Sequence, residues 1–130
     1  MAVLTAGACT FAVVGKENFL DRAHSRTQEF PVAYQSLYKC FVDRWPGGGG
    51  GGLFRGAGPR TALYPDLKFA EYKHGDRTGW FTLFEFRGVA PAVTEVRAYE
   101  LRESWLDDRW TTVTDCSGRL SAHAAPPSHR

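Results

Sequence analysis

The sequence predicts an α+β domain in which a mostly antiparallel sheet carries a helix on each face, with elements in the order β-β-α-β-β-α. Three observations lead there. An apolar stripe at helical spacing runs from Phe30 to Trp45, a second runs from Ala92 to Val113, and an aromatic hairpin lies between them over residues 67–86. Hydrophobic residues make up 43% of the 130, with nine Phe, five Tyr and four Trp, so the chain holds enough apolar surface for a core.

Cys9 to Val14 is a short, nearly continuous apolar run ending at Gly15, which fits a central strand covered on both faces. Gly15 to Asn18 supplies turn residues, and Phe19 to Ala23 can return as a short edge strand. Counting from Phe30, the residues Tyr34, Leu37, Tyr38, Phe41 and Trp45 share a face about 100° wide, with Gln35, Ser36, Lys39 and Asp43 opposite. Pro31 suits the first turn of that helix, and Pro46 with the glycines after it stops the helix.

Gly47 to Gly52 is an unbroken glycine run, so residues 46–60 read as a flexible insert. Leu67 to Lys73 and Trp80 to Phe86 then flank the turn-forming residues His74 to Gly79 as a hairpin. A second helix is expected from Pro91. Ala92, Val96, Tyr99, Leu106, Trp110 and Val113 form its main stripe, with Glu103 as an intruder. Ala98, Leu101 and Trp105 fall on its far side, and a helix apolar on two sides needs two covers. The tail from Cys116 to Arg130 is rich in Ser, Ala, Pro and His without periodicity, and is expected to be disordered. The domain is thus assigned to residues 1–115.

Charge and motifs exclude more than they identify. Lys and Arg exceed Asp and Glu by a net charge of only +2, too little to steer the chain onto nucleic acid or an anionic membrane. The three cysteines, Cys9, Cys40 and Cys116, are odd in number and widely spaced, so a reducing, cytosolic compartment is expected. Cys40 on a helix flank reads as an inert thiol. The apolar start is not preceded by a basic residue, the first being Lys16, and fits a buried strand better than a secretory signal. His24, His74, His123 and His129 lack metal-ligand spacing, and the cysteines form no C-x-x-C. The glycine run lacks the Lys-Ser/Thr ending of a phosphate loop. No catalytic residue, metal or cofactor is expected. Asp107 and Asp108 with Glu103 read as solvated charge among arginines.

Certain strings resemble the sedlin-like small subunits of the TRAPP vesicle-tethering complex, which have the longin (profilin-like) fold. They are Phe11-Ala12-Val13-Val14-Gly15-Lys16-Glu17-Asn18, where an apolar strand runs into a Lys-Glu-Asn-type turn; Phe41-Val42-Asp43, which closes the first helix; and Leu63-Tyr64-Pro65, ahead of a hairpin and a long helix. The resemblance covers residues 8–113. Cys40 stands where the family usually has an acidic residue, the insert from Gly47 to Pro59 replaces much of the expected end of the first helix and third strand, and Ser117 to Arg130 is not expected to form the family's usual last helix.

The resemblance implies a non-enzymatic subunit of a tether acting between the endoplasmic reticulum and the Golgi. It would be cytoplasmic, would reach membranes only through the complex, and would have the other subunits as partners. The stripe Ala98, Leu101 and Trp105 would then lie uncovered and dock a neighbouring subunit, with Asp43 and Arg44 as a charged rim. Two other readings compete. One is a small enzyme whose sheet cavity is lined by Tyr72, His74 or Asp76; the other is a weak RNA-binding domain using Arg55, Arg60, Lys68, Lys73 and Arg77 among aromatics.

Overall fold

A computed structural model describes residues 16–45, 59–76 and 79–124. Helix α1 (Lys16–Arg22) leads into strand β1 (His24–Phe30) and helix α2 (Tyr34–Arg44). Strand β2 (Arg60–Tyr64), a 3₁₀ turn (Pro65–Leu67), and strands β3 (Phe69–Asp76), β4 (Gly79–Ala90) and β5 (Val93–Glu100) follow. Helix α3 (Glu103–Ala124) closes the described chain. The five strands form one antiparallel sheet in the order β1-β5-β4-β3-β2.

Because side chains alternate along a strand, register decides what each face presents. Tyr72, Phe84 and Ala98 are successive cross-strand partners, as are Ala70, Phe86 and Val96, and all six are buried. These rows make the inner face. Helix α2 drives Phe41 into it, stacked on Phe84 at 4.8 Å between ring centroids and edge-on to Tyr72 at 5.1 Å. Helix α3 covers the β1 side, with Trp110 against Phe30 at 5.7 Å. Leu106, Trp110, Val113 and Cys116 recur at helical spacing along its buried flank. On the opposite face the shorter α1 packs on β4, where Leu83 is fully buried and Phe19 nearly so.

Gly88 sets how closely α2 approaches the sheet. Its N–H donates to the Lys68 carbonyl at 2.8 Å, and a Cβ there would lie 2.9 Å from Cδ1 of Tyr34. A side chain at this position would have to displace the Tyr34 ring on the first turn of α2.

The α+β class and the hairpin stand as expected, with β3 and β4 paired around residues 76–79. Several elements differ from the expected β-β-α-β-β-α order. Residues 16–22 are helical where a turn and an edge strand were expected. Phe30 and Pro31 precede α2, Phe30 being the last residue of β1, so the stripe counted from Phe30 joins a strand end to a helix. Both long helices lie on one face, because that face alone carries the aromatic rows.

The largest correction concerns residues 93–100, which form a strand. Thr94, Val96, Ala98 and Glu100 are buried at alternate positions, and Pro91 occupies the turn between β4 and β5. The two-sided helix was therefore a strand and a helix read in one register. Residues 116–124, expected as a disordered tail, continue α3. The expected strand at Cys9–Val14 and most of the insert at 46–60 lie outside the described residues, but Arg60 already pairs with Lys73.

Phe41 contacts three aromatic rings and is fully buried. Phe41→Ala is expected to lower unfolding stability by about 3–5 kcal/mol, read from the urea midpoint. A loss below about 1 kcal/mol would contradict this placement of α2.

Candidate functional site

One end of the inner face is polar. His74, Thr82, Glu100 and His24 are successive cross-strand partners on β3, β4, β5 and β1. Glu100 has no exposed surface. One carboxylate oxygen accepts the Thr82 hydroxyl at 2.6 Å, and the other accepts a guanidinium N–H of Arg109 at 2.9 Å. Arg109 reaches down from α3, its guanidinium carbon 4.5 Å from the ring centroid of Trp45 at the end of α2. Trp45 in turn donates its Nε1–H to the Thr112 hydroxyl at 2.9 Å. This chain of contacts joins β4, β5, α3 and α2 at one point.

Burial pushes the Glu100 carboxyl above its ordinary range, against the lowering pull of the Thr82 hydroxyl and the Arg109 guanidinium. Burial likewise raises the Tyr72 hydroxyl, with Arg109 pulling it back. A carboxyl held up in this way can serve as a general acid, provided a substrate can reach it. Here both oxygens are occupied and the side chain is sealed beneath α3. Tyr72 is equally enclosed, 2% exposed and edge-on to Phe41. His24 is exposed, and His74 lies against Phe81, 6.3 Å between centroids. The arrangement is chemically that of a buried ion pair fixing the seat of α3. The Arg109 Nε–H is buried without a hydrogen-bond partner among the described residues.

The expected docking stripe is not assembled. Ala98 is fully buried in the core, on β5. Leu101 lies in the turn after β5 and is exposed, its N–H bonded to the Phe81 carbonyl at 3.0 Å. Trp105 is half-buried in the first turns of α3, 6.2 Å from the Phe81 ring and with Arg102 over its face. These three share no face, because Ala98 belongs to a strand. Asp43 and Arg44 are exposed at the end of α2, pairing with Lys39 at 3.4 Å and with Asp115 at 4.0 Å.

Among the described residues, four of the exposed large hydrophobics instead lie at one end of the sheet, Leu63 and Tyr64 on its opposite faces. Leu63 and Tyr64 end edge strand β2, Leu67 ends the 3₁₀ turn, and Val89 lies at the tip of β4. Tyr64 stacks on Phe69 at 6.1 Å, and the Gly88–Lys68 hydrogen bond brings the β4 tip beside the turn. Leu67 is 68% exposed. Lys68, with φ of 51°, turns the chain there in the left-handed region.

Cys40 and Cys116 form a disulfide linking α2 to α3, with Cα atoms 6.0 Å apart. Two thiols in a reducing compartment were expected, and the odd count concealed this pair. No group of His, Cys, Asp and Glu among the described residues could hold a metal ion. No protein-family model matches the chain, and no curated protein shows significant similarity to it.

Arg109→Met, which leaves Glu100 buried alone, is expected to lose about 3 kcal/mol of stability. The double variant Glu100→Leu with Arg109→Met is expected to return to within about 1 kcal/mol of the original. Titration gives an independent reading. A carboxyl raised in the folded state binds more protons there than in the unfolded chain. Its contribution is therefore fully present below the unfolded pKa and is lost as pH rises through the folded value. The stability of the unaltered chain relative to Glu100→Gln should thus shrink as pH rises above the ordinary carboxyl range, read by urea unfolding. A difference that grows with pH would show the carboxylate held down by Arg109.

Proposed function

We propose that this chain is a non-enzymatic docking domain that binds another protein through the apolar end formed by Leu63, Tyr64, Leu67 and Val89. The observation that carries the reading is this gathering of exposed apolar side chains on an edge strand and two turns, while the polar end of the inner face is sealed. Among the described residues β2 is an edge strand, and an edge strand beside apolar side chains suits protein association. The ion pair of Lys73 counts against the RNA reading, whose Arg55 and Arg77 lie outside the described residues. Lys73 pairs with Glu71 at 3.5 Å and Arg97 with Glu95 at 3.2 Å.

The identity proposed for the partner is a neighbouring subunit of a vesicle tether between the endoplasmic reticulum and the Golgi. The resemblance to sedlin-like subunits supports it through strings alone. Phe41-Val42-Asp43 lies in the last turn of α2, and Leu63-Tyr64-Pro65 precedes the β3–β4 hairpin. Lys16-Glu17-Asn18 opens α1 instead of forming a turn, and β5 stands between the hairpin and the long helix. No helix among the described residues is long and apolar enough to cross a membrane, and the proposed placement is peripheral and cytoplasmic. A reducing cytosol would favour Cys40 and Cys116 as thiols, whereas an oxidising compartment would keep their bond.

Affinity purification of the tagged chain from its own cells should recover tether subunits. Leu67→Glu with Val89→Glu should reduce that recovery at least about tenfold, the effect of roughly 1.4 kcal/mol at an interface. Undiminished recovery would remove the patch from the interface. Partners other than tether subunits, lost with the same variant, would retain docking and overturn the tether assignment.

A further inference from the structure

Away from the apolar end, α2 and α3 enclose a depression of about 430 Å³, lined by Ser36, Lys39, Cys40, Asp43, Arg44, Arg119 and Leu120. Lys39 pairs with Asp43 and Arg44 with Asp115 there, so Arg119 leaves the site net positive. The disulfide presents its two halves unequally. Cys116 is fully buried in α3, whereas Cys40 is half-buried and lines the depression. A disulfide is opened by a thiolate attacking one sulfur, and access decides which sulfur is attacked. The open side also carries the charge that favours an anion.

We propose that this depression is a binding site for a small anionic thiol, and that Cys40 is the sulfur it modifies. The thiolate attacks Cys40 Sγ and forms a mixed disulfide. The Cys40–Cys116 bond breaks, and its electron pair leaves on Cys116 Sγ, which takes up a proton. A second thiolate then attacks the ligand's sulfur, releasing the ligand disulfide and leaving Cys40 as a thiol. The two protein sulfurs are reduced by two electrons, and two small thiols are oxidised to one disulfide. In reverse, Cys116 resolves the mixed disulfide and closes the bond between α2 and α3.

This exchange is independent of the docking patch and is tested with glutathione as the probe. The full chain is treated with reduced glutathione, quenched with acid, and mapped by peptide mass spectrometry. The mixed disulfide is expected on the Cys40 peptide. Cys116→Ser treated with oxidised glutathione should accumulate the adduct at Cys40, while Cys116 in Cys40→Ser should stay unmodified in the folded protein. Arg119→Gln should slow reduction by glutathione about threefold, the Coulomb effect of one charge at roughly 7 Å in water. The same variant should slow reduction by 2-mercaptoethanol, whose only negative charge is the attacking thiolate, less than it slows reduction by glutathione. An adduct on Cys116, or on both cysteines equally, would overturn the assignment of Cys40. Equal slowing of both reagents would overturn the anion site.

Discussion

The structure depends on where α3 is seated. A sheet of five strands with aromatic residues on one face needs more cover than the 11-residue α2 can give. The 22-residue α3 supplies the rest over β1 and β5. Its seat is fixed at two places along its length. Near its start, Arg109 bonds Glu100 and lies over Trp45; further along, Cys116 is bonded to Cys40 of α2. Between them Val113 is fully buried. A crosslink between residues 76 apart also restricts the unfolded chain, which adds to the stability of a small domain.

This seat separates the polar and apolar chemistry of the molecule. Beneath α3, the charged pair is withdrawn from solvent and tied to Thr82, so its energy goes into orientation. At the opposite end of the sheet only the first turn of α2 reaches β4, with Tyr34 beside Gly88, and exposed apolar residues lie beyond it among the described residues. Edge strand β1 differs from β2 in having Arg26 and Glu29, and Arg26 bonds Asp107 of α3 at 2.9 Å. Such charges discourage pairing along β1. The result is a sheet with one guarded edge and one apolar end.

Legibility in the sequence followed how clean the periodicity was. The β3–β4 hairpin was readable because two segments rich in aromatic residues, with Tyr72 on one and Phe84 and Phe86 on the other, flank turn-forming residues. Leu37, Tyr38 and Phe41 were readable as one helical face, and Leu106, Trp110 and Val113 as another. Strand β5 was not, because two of its four inward residues, Thr94 and Glu100, are polar and dilute the period of two. Its inward Val96 also fits helical spacing with Tyr99. Strand β1 offers still less, since His24, Arg26 and Gln28 occupy the inward positions before Phe30. The polar cluster was hidden for another reason. Glu100 and Arg109 lie on different elements, and only the turn at residues 101–102 brings them face to face.

Nuclear Overhauser contacts from the Trp110 ring test the seat of α3 most directly. With α3 across the inner face, cross-peaks should link Trp110 to the Phe30 ring and the Trp45 indole N–H to Thr112. Cross-peaks from Trp110 to Tyr99, which points to the other face of β5, with none to Phe30, would place the helix on the wrong side of the sheet and contradict the account.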